Sequence, residues 1–162
     1  MKFRLLIICL FLYLNGNSQT STLSNVDNSK ITGLSEEEFI YACKEYKKMM
    51  ETDTYLENNK KARLNAEKMY DALSSLDYKN LPIDSLKNNN IYLKWIEKNI
   101  KKTKFKSFDE AKVAIEDQIA SQEKLEKENP KLFELLDKAT LEQRHTIFKP
   151  FFDMTHKEML GY

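Results

Sequence analysis

The chain has 162 residues, with 26 lysines and arginines against 25 acidic residues, three glycines, three prolines and two cysteines. A charge this balanced leaves no global field to draw the chain onto nucleic acid or an anionic membrane. The length suits one domain around one core, and two cysteines cannot build a disulfide framework.

The first residues fall into three zones. Lys2 and Arg4 are basic, Leu5 to Leu14 is an apolar run, and Asn15-Gly16-Asn17-Ser18 is short and polar. Gly16 and Ser18 supply small residues at −3 and −1 of a cut before Gln19, the pattern of a Sec-type cleavable signal peptide. The run is too short to span a bilayer, which takes ~20 residues, so no stable membrane span is expected after cleavage. Cys9 lies within the run behind Ile7 and Ile8, not at a lipoprotein cleavage position. Cleavage removes Lys2 and Arg4, leaving 24 basic and 25 acidic residues, and Cys43 as the remaining cysteine. No intrachain disulfide is then possible, and stability must come from packing. A glutamine directly after the cut resembles exported proteins of Bacteroidota. The division expected is a signal peptide over 1–18, a flexible leader over 19–34 and a helical domain over 35–162.

Between Gly33 and Gly161 there is no glycine, and Pro82, Pro130 and Pro150 are the chain's three prolines. Lys, Glu, Leu and Ala are abundant and no stretch alternates at period two, which favours helices. Ser35-Glu36-Glu37-Glu38 reads as a capping box opening a helix with Phe39, Cys43, Tyr46 and Met50 on one face. Thr54-Tyr55-Leu56-Glu57 reads as a second box, followed by Ala62, Ala66, Met69, Leu73 and Leu76. That stripe is out of phase with the first, so a break belongs around Thr52–Thr54. The span 77–90 reads as a connection containing Pro82. Asn90 would then cap a helix showing Tyr92 or Leu93, Ile96 and Ile100, with Trp95 beside them. Ser107-Phe108-Asp109-Glu110 is a third box, ahead of Ala111, Ile115, Ile119 and Leu125. Asn129-Pro130 pairs a cap with proline at the first helical position, before Leu132, Phe133, Leu136 and Ala139. Thr140-Leu141-Glu142-Gln143 and Thr155-His156-Lys157-Glu158 are further boxes, with Pro150 kinking or ending what lies between. The fold class expected is all-α, a single-domain bundle of about five to seven helices behind a flexible leader.

Few residues carry chemistry. Glu142-x-x-His145 and Asp153-x-x-His156 each place a carboxylate and an imidazole one helical turn apart. Di-iron bundles use such pairs, but they add two carboxylates from other helices, and here both pairs crowd into one terminal region. With 25 acidic residues present, an acid three before a histidine is an expected coincidence, so no metal site is assigned. Cys43 falls in register with Phe39 and Tyr46 and reads as a small core residue, not a nucleophile. Gly-rich phosphate loops are absent, and neither a catalytic residue nor a cofactor is assigned. Lys98, Lys101, Lys102, Lys104 and Lys106, with Phe105 and Phe108 between them, read as an anion patch or as a solvated helix end. The charge balance of the rest favours the solvated end. Phe148, Phe151 and Phe152 share a face, followed by Met154 and Met159. This dense apolar load either completes the core or, in part, offers a partner-binding surface at Phe148, Phe151, Phe152 and Met154.

Leu34-Ser35-Glu36-Glu37-Glu38 and Ala139-Thr140-Leu141-Glu142-Gln143-Arg144 resemble the Leu-Thr-x-x-Gln motif of the small helical periplasmic chaperones of the Spy/CpxP type. The first segment has Ser and Glu in place of Thr and Gln, and the second has Ala in place of Leu. The resemblance implies a cradle of helices that holds unfolded clients, with Leu34, Ser35, Thr140 and Gln143 as hinge and cap residues. With or without it, the expectation is a non-enzymatic exported protein of the periplasm or extracellular space whose partner is another protein. The alternative is a small enzyme or lipid carrier whose site is built from scattered residues. Mass spectrometry of the exported protein should find its N-terminus within a residue or two of Gln19; a mass retaining 1–18 would refute cleavage.

Overall fold

The computed structural model describes residues 31–74 and 89–153. They form six α-helices: α1 Glu36–Met50, α2 Asp53–Ser74, α3 Asn89–Asn99, α4 Phe108–Glu128, α5 Pro130–Lys138 and α6 Leu141–Phe152. A 3-10 turn, Ile100–Lys102, extends α3. No strand occurs among the described residues, so the all-α bundle stands, and six helices lies within the number expected. The Thr155 box, Leu76, Met154, His156 and Met159 lie outside the described residues.

The local signals set most helix starts, with corrections in detail. Ser35 and Thr140 each form a complete capping box, with Glu38 and Gln143 returning the bond. The break between α1 and α2 falls where expected, but its cap is Thr52, whose Oγ1 accepts from Tyr55 N at 3.2 Å. Thr54 is already inside the helix. Ser107 accepts from Glu110 N at 3.1 Å, yet Glu110 returns the bond to Lys106 N at 2.7 Å instead of to Ser107. Asn90 sits inside α3, which runs from Asn89. Pro130 starts α5 as expected, whereas the Asn129 side chain reaches back to Leu125 O at 3.0 Å and caps the end of α4. Pro150 lies within α6, and the helix continues through it to Phe152. Near a helix end a proline forfeits one backbone bond without stopping the winding.

The contacts divide the described chain into two compact units, 31–60 with 119–153 and 61–74 with 89–118. In the first, α1 packs chiefly on α6 and next on α5. Its core gathers Ala42, Tyr46 and Met49 of α1, Tyr55 of α2, Leu125 of α4, Leu132, Phe133, Leu135 and Leu136 of α5, and Ile147, Phe148 and Phe151 of α6. The face of α1 is thus Ala42-Tyr46-Met49; Phe39, Cys43 and Met50 are only half-buried. The Tyr46 ring lies 5.1 Å from Phe148 and 6.4 Å from Tyr55, the latter edge-on at 82°. Such tilted and edge-on pairs add to area burial. Burial pushes the Tyr55 phenol up to about 12.

The second unit is smaller in side chains. Ala66, Met69 and Ala72 of α2, Ile96 of α3, Phe105, and Ala111 and Ile115 of α4 are buried. Here α2 and α4 run antiparallel and are bonded at successive levels. Lys61 meets Asp117 at 3.0 Å, buried Asn65 donates to Gln118 Oε1 at 2.8 Å and to Ala114 O at 3.1 Å, and Lys68 meets Glu110 at 2.6 Å. Hydrogen bonds from Lys68 and from Lys106 N hold the Glu110 carboxyl below the usual carboxylate range.

Truncating Phe148 or Phe151 separately to alanine should cost ~3–5 kcal/mol, because each ring is buried and leaves a cavity. Half-buried Phe152 should cost clearly less on the same melting curves followed by circular dichroism. Near-native melting of both buried-ring variants would refute this packing.

Candidate functional site

The corner where α5 passes into α6 holds the most specific side-chain arrangement in the first unit. Thr140 is extended, with φ −64° and ψ 164°, and its Oγ1 accepts from Gln143 N at 3.2 Å. Gln143 Oε1 returns the bond to Thr140 N at 3.1 Å. In a simple capping box this completes the work of the side chain. Here the same Oε1 also accepts from Leu34 N at 2.9 Å, and Nε2 donates to Leu34 O at 3.0 Å. One amide therefore caps α6 and also pairs with both backbone groups of a residue 109 positions earlier. Glutamate could accept both bonds but could not donate the third.

Gly33 completes the latch. Its N–H donates to Lys138 O, at the end of α5, at 3.0 Å. Its φ of +77° is the left-handed region that glycine enters without steric cost. A Cβ there would meet Thr140 Cγ2 at an ordinary 3.5 Å, so conformation, not space, calls for glycine. Leu34 then hands the chain to Ser35, which caps α1. Nearby, buried Arg144 donates from Nη2 to Asp137 O at 3.1 Å. Leu34, Ser35, Thr140 and Gln143 are thus gathered at one corner, and Leu141 beside them is 59% exposed. The latch consists of neutral donors and acceptors already paired with one another. It can hold two chain segments together and present the apolar side chain next to them; it contains no nucleophile–base pair.

The other residues singled out in the sequence are placed as follows. Phe148 and Phe151 are buried, Phe152 is half-buried with its ring 5.8 Å from His145, and Met154 lies outside the described residues. Glu142, His145 and Asp153 are exposed, and Asp153 pairs with Lys149 at 2.6 Å. Among the described residues no group of three His, Cys, Asp or Glu is placed to hold a metal ion. Cys43 is half-buried, and burial raises its thiol pKa against the opposing charge of Lys47. An open groove of about 370 Å³ on the second unit is lined by Leu93, Lys94, Glu97, Phe108, Lys112 and Glu116. Among the described residues no helix is long and apolar enough to cross a membrane.

No family model, curated protein or solved structure matches the chain. Two features escaped the sequence reading. Glutamine instead of glutamate at position 143 was the available sign of the latch, since only the amide can both accept and donate. The buried amides Asn58, Asn59, Asn65 and Gln118 had no such sign, because each looks like a surface residue until its partner helix is known.

Gln143→Ala deletes three part-buried hydrogen bonds, so a loss of roughly 2–3 kcal/mol is expected from their usual ~1 kcal/mol each. Proteolysis near Gly33 should quicken in that variant, as the segment loses its hold. Ser35→Ala, which removes a cap but leaves Leu34 paired, should cost about 1 kcal/mol without the new cleavage. Equal cleavage in both variants would show that Gln143 acts as a cap alone.

Proposed function

We propose that this chain is an exported, non-enzymatic helical protein of the periplasm or extracellular space that binds other proteins, in the manner of a small helical chaperone. The observation that carries the reading is the Gln143 latch. The two segments that resemble Leu-Thr-x-x-Gln motifs are far apart in sequence, and Gln143 of one bonds both backbone groups of Leu34 in the other.

Apolar side chains left in solvent support the same reading. In the first unit Ile40 is 60% and Leu141 59% exposed, although α1 and α6 both have well-filled inner faces. A helix that buries one apolar face and keeps an aliphatic residue outside offers contact area to a chain with exposed apolar segments. The half-buried Phe152 adds area of the same kind, whereas Phe148 and Phe151 serve the partner only through the stability of the helix that bears it. The proposal assigns the protein no cofactor and no nucleic acid, because binding of this kind needs neither.

The test is light scattering from a reductively unfolded client in the presence of residues 19–162. Suppression of aggregation at near-equimolar protein is expected. Leu141→Lys and Ile40→Lys should weaken suppression several-fold while leaving the melting curve nearly unchanged, since both side chains are already exposed. Full aggregation at excess protein would sink the chaperone reading.

A further inference from the structure

The near-zero net charge hides a local segregation. Residues 94–106 contain Lys94, Lys98, Lys101, Lys102, Lys104 and Lys106 against one acid, Glu97, a net of +5. The whole chain carries +1, so the other residues sum to −4. All six lysines are exposed, and none is in an ion pair among the described residues. Of the twelve other described lysines, seven lie 2.6–3.9 Å from a carboxylate: Lys48, Lys61, Lys68, Lys112, Lys124, Lys138 and Lys149.

Helix-end electrostatics do not account for the cluster. The C-terminal dipole of α3 welcomes Lys98, and the 3-10 turn welcomes Lys101 and Lys102. Lys94 stands a turn too early for that benefit. Lys104 and Lys106 lie just before the N-terminus of α4, where the dipole repels cations. Of the nearby acids of α4, Glu110 is shared between Lys68 and the charge of Lys106, and Asp109 is a single exposed carboxylate. Lys94 and Lys104 in particular are thus left unexplained by helix ends.

The loop that carries them is pinned. Lys104 N donates to Lys68 O at 2.7 Å, Thr103 Oγ1 donates to Ile100 O at 2.8 Å and accepts from Phe105 N at 3.3 Å. Phe105 is buried under the Lys68 ammonium, which stands 4.9 Å from its ring centroid. With Phe105 turned in, its neighbours Lys104 and Lys106 are turned out. Trp95 and Ile100, half-buried in the same segment, supply apolar surface among the charges, and Trp95 is held by a stacked Tyr92 ring 6.5 Å away. Lysines on long apolar stems around a partly exposed indole match the boundary between phosphate headgroups and acyl chains. A nucleic-acid surface would gain most from guanidinium groups, and this segment has no arginine.

We propose that residues 94–106 form a peripheral docking surface for an anionic phospholipid bilayer. The test is co-sedimentation of residues 19–162, first checked for helix by circular dichroism, with phosphatidylcholine vesicles that contain or lack phosphatidylglycerol. Binding is expected only with phosphatidylglycerol, and it should vanish at ~1 M salt, where screening acts within about 3 Å. Each lysine near such a surface contributes enough that Lys101→Gln, Lys102→Gln and Lys104→Gln together should weaken binding about a hundredfold. Lys44→Gln, Lys47→Gln and Lys127→Gln make the same change in net charge elsewhere and should leave binding within about twofold of the parent. Trp95 is the only tryptophan, so its emission should shift to the blue on phosphatidylglycerol vesicles. Equal losses in the two triple variants, equal binding to both vesicle types, or binding to a short DNA duplex without binding to vesicles would each overturn the proposal.

Discussion

The first unit depends on joining α1 to α6, helices that lie at opposite ends of the described chain. Prominent among the contacts that do this are the Tyr46 ring against Phe148 and the Gln143 amide on Leu34, just before α1. Closing so long a loop costs entropy that local helix formation cannot supply. A disulfide is one common remedy for such closure, but Cys43 is a lone free thiol among the described residues. The closure is therefore made with a buried aromatic pair for energy and a latch of hydrogen bonds for register. The division of labour follows from the physics. Ring packing is strong but tolerates sliding, whereas a side-chain amide bonded to both groups of one peptide admits a single alignment.

The second unit solves a different problem. Three of its seven buried apolar side chains are alanines, Ala66 and Ala72 on α2 and Ala111 on α4, which lowers the hydrophobic area between those helices. Asn65, Gln118 and the flanking lysine–carboxylate pairs fill the remaining contacts between the two helices. Amides contribute little net energy when paired and cost a good deal when left alone. Their use fixes which levels of α2 and α4 meet, since a slip by one turn would strand Asn65 and Gln118 without partners. Lys68 joins this alignment to the following loop, bonding Glu110 with its ammonium and Lys104 N with its carbonyl.

What was legible in the sequence sorts by the range of the interaction. Ser35 and Thr140 were read correctly as complete boxes because cap and partner lie within four residues. The break before α2 was legible from the phase change of two apolar stripes. Thr52 was missed for Thr54 because both precede an apolar run, and only the geometry of the break decides between them. Glu110 was expected to close a box on Ser107, but Lys68, 42 residues away, drew its carboxylate elsewhere. Asn129 likewise answered the orphan carbonyl of Leu125 and left the start of α5 to proline. On α1 the stripe was drawn through Phe39, Cys43, Tyr46 and Met50, of which only Tyr46 is buried. The true inner face passes through Ala42, because a small residue lets α6 approach Tyr46 closely. At Glu110 a distant partner outbid a local rule, whereas at Thr52 and Asn129 one local bond prevailed over another.

The same distinction bears on where function can reside. Local rules account for the lysines that answer acids on their own helix, such as Lys138 with Glu134 and Lys149 with Asp153. They account as well for the rings that fill the core. What they leave over is a small remainder: a glutamine doing more than a cap requires, aliphatic residues outside filled helices, and lysines set before a helix N-terminus. A side chain that stability would not have chosen, held on a backbone that is itself pinned, is where selection for a task leaves its mark. Among the described residues this remainder consists of exposed apolar and charged side chains. The two proposed partners, an unfolded client and an anionic bilayer, both draw on that remainder, where apolar contact and unpaired charge would be completed by binding.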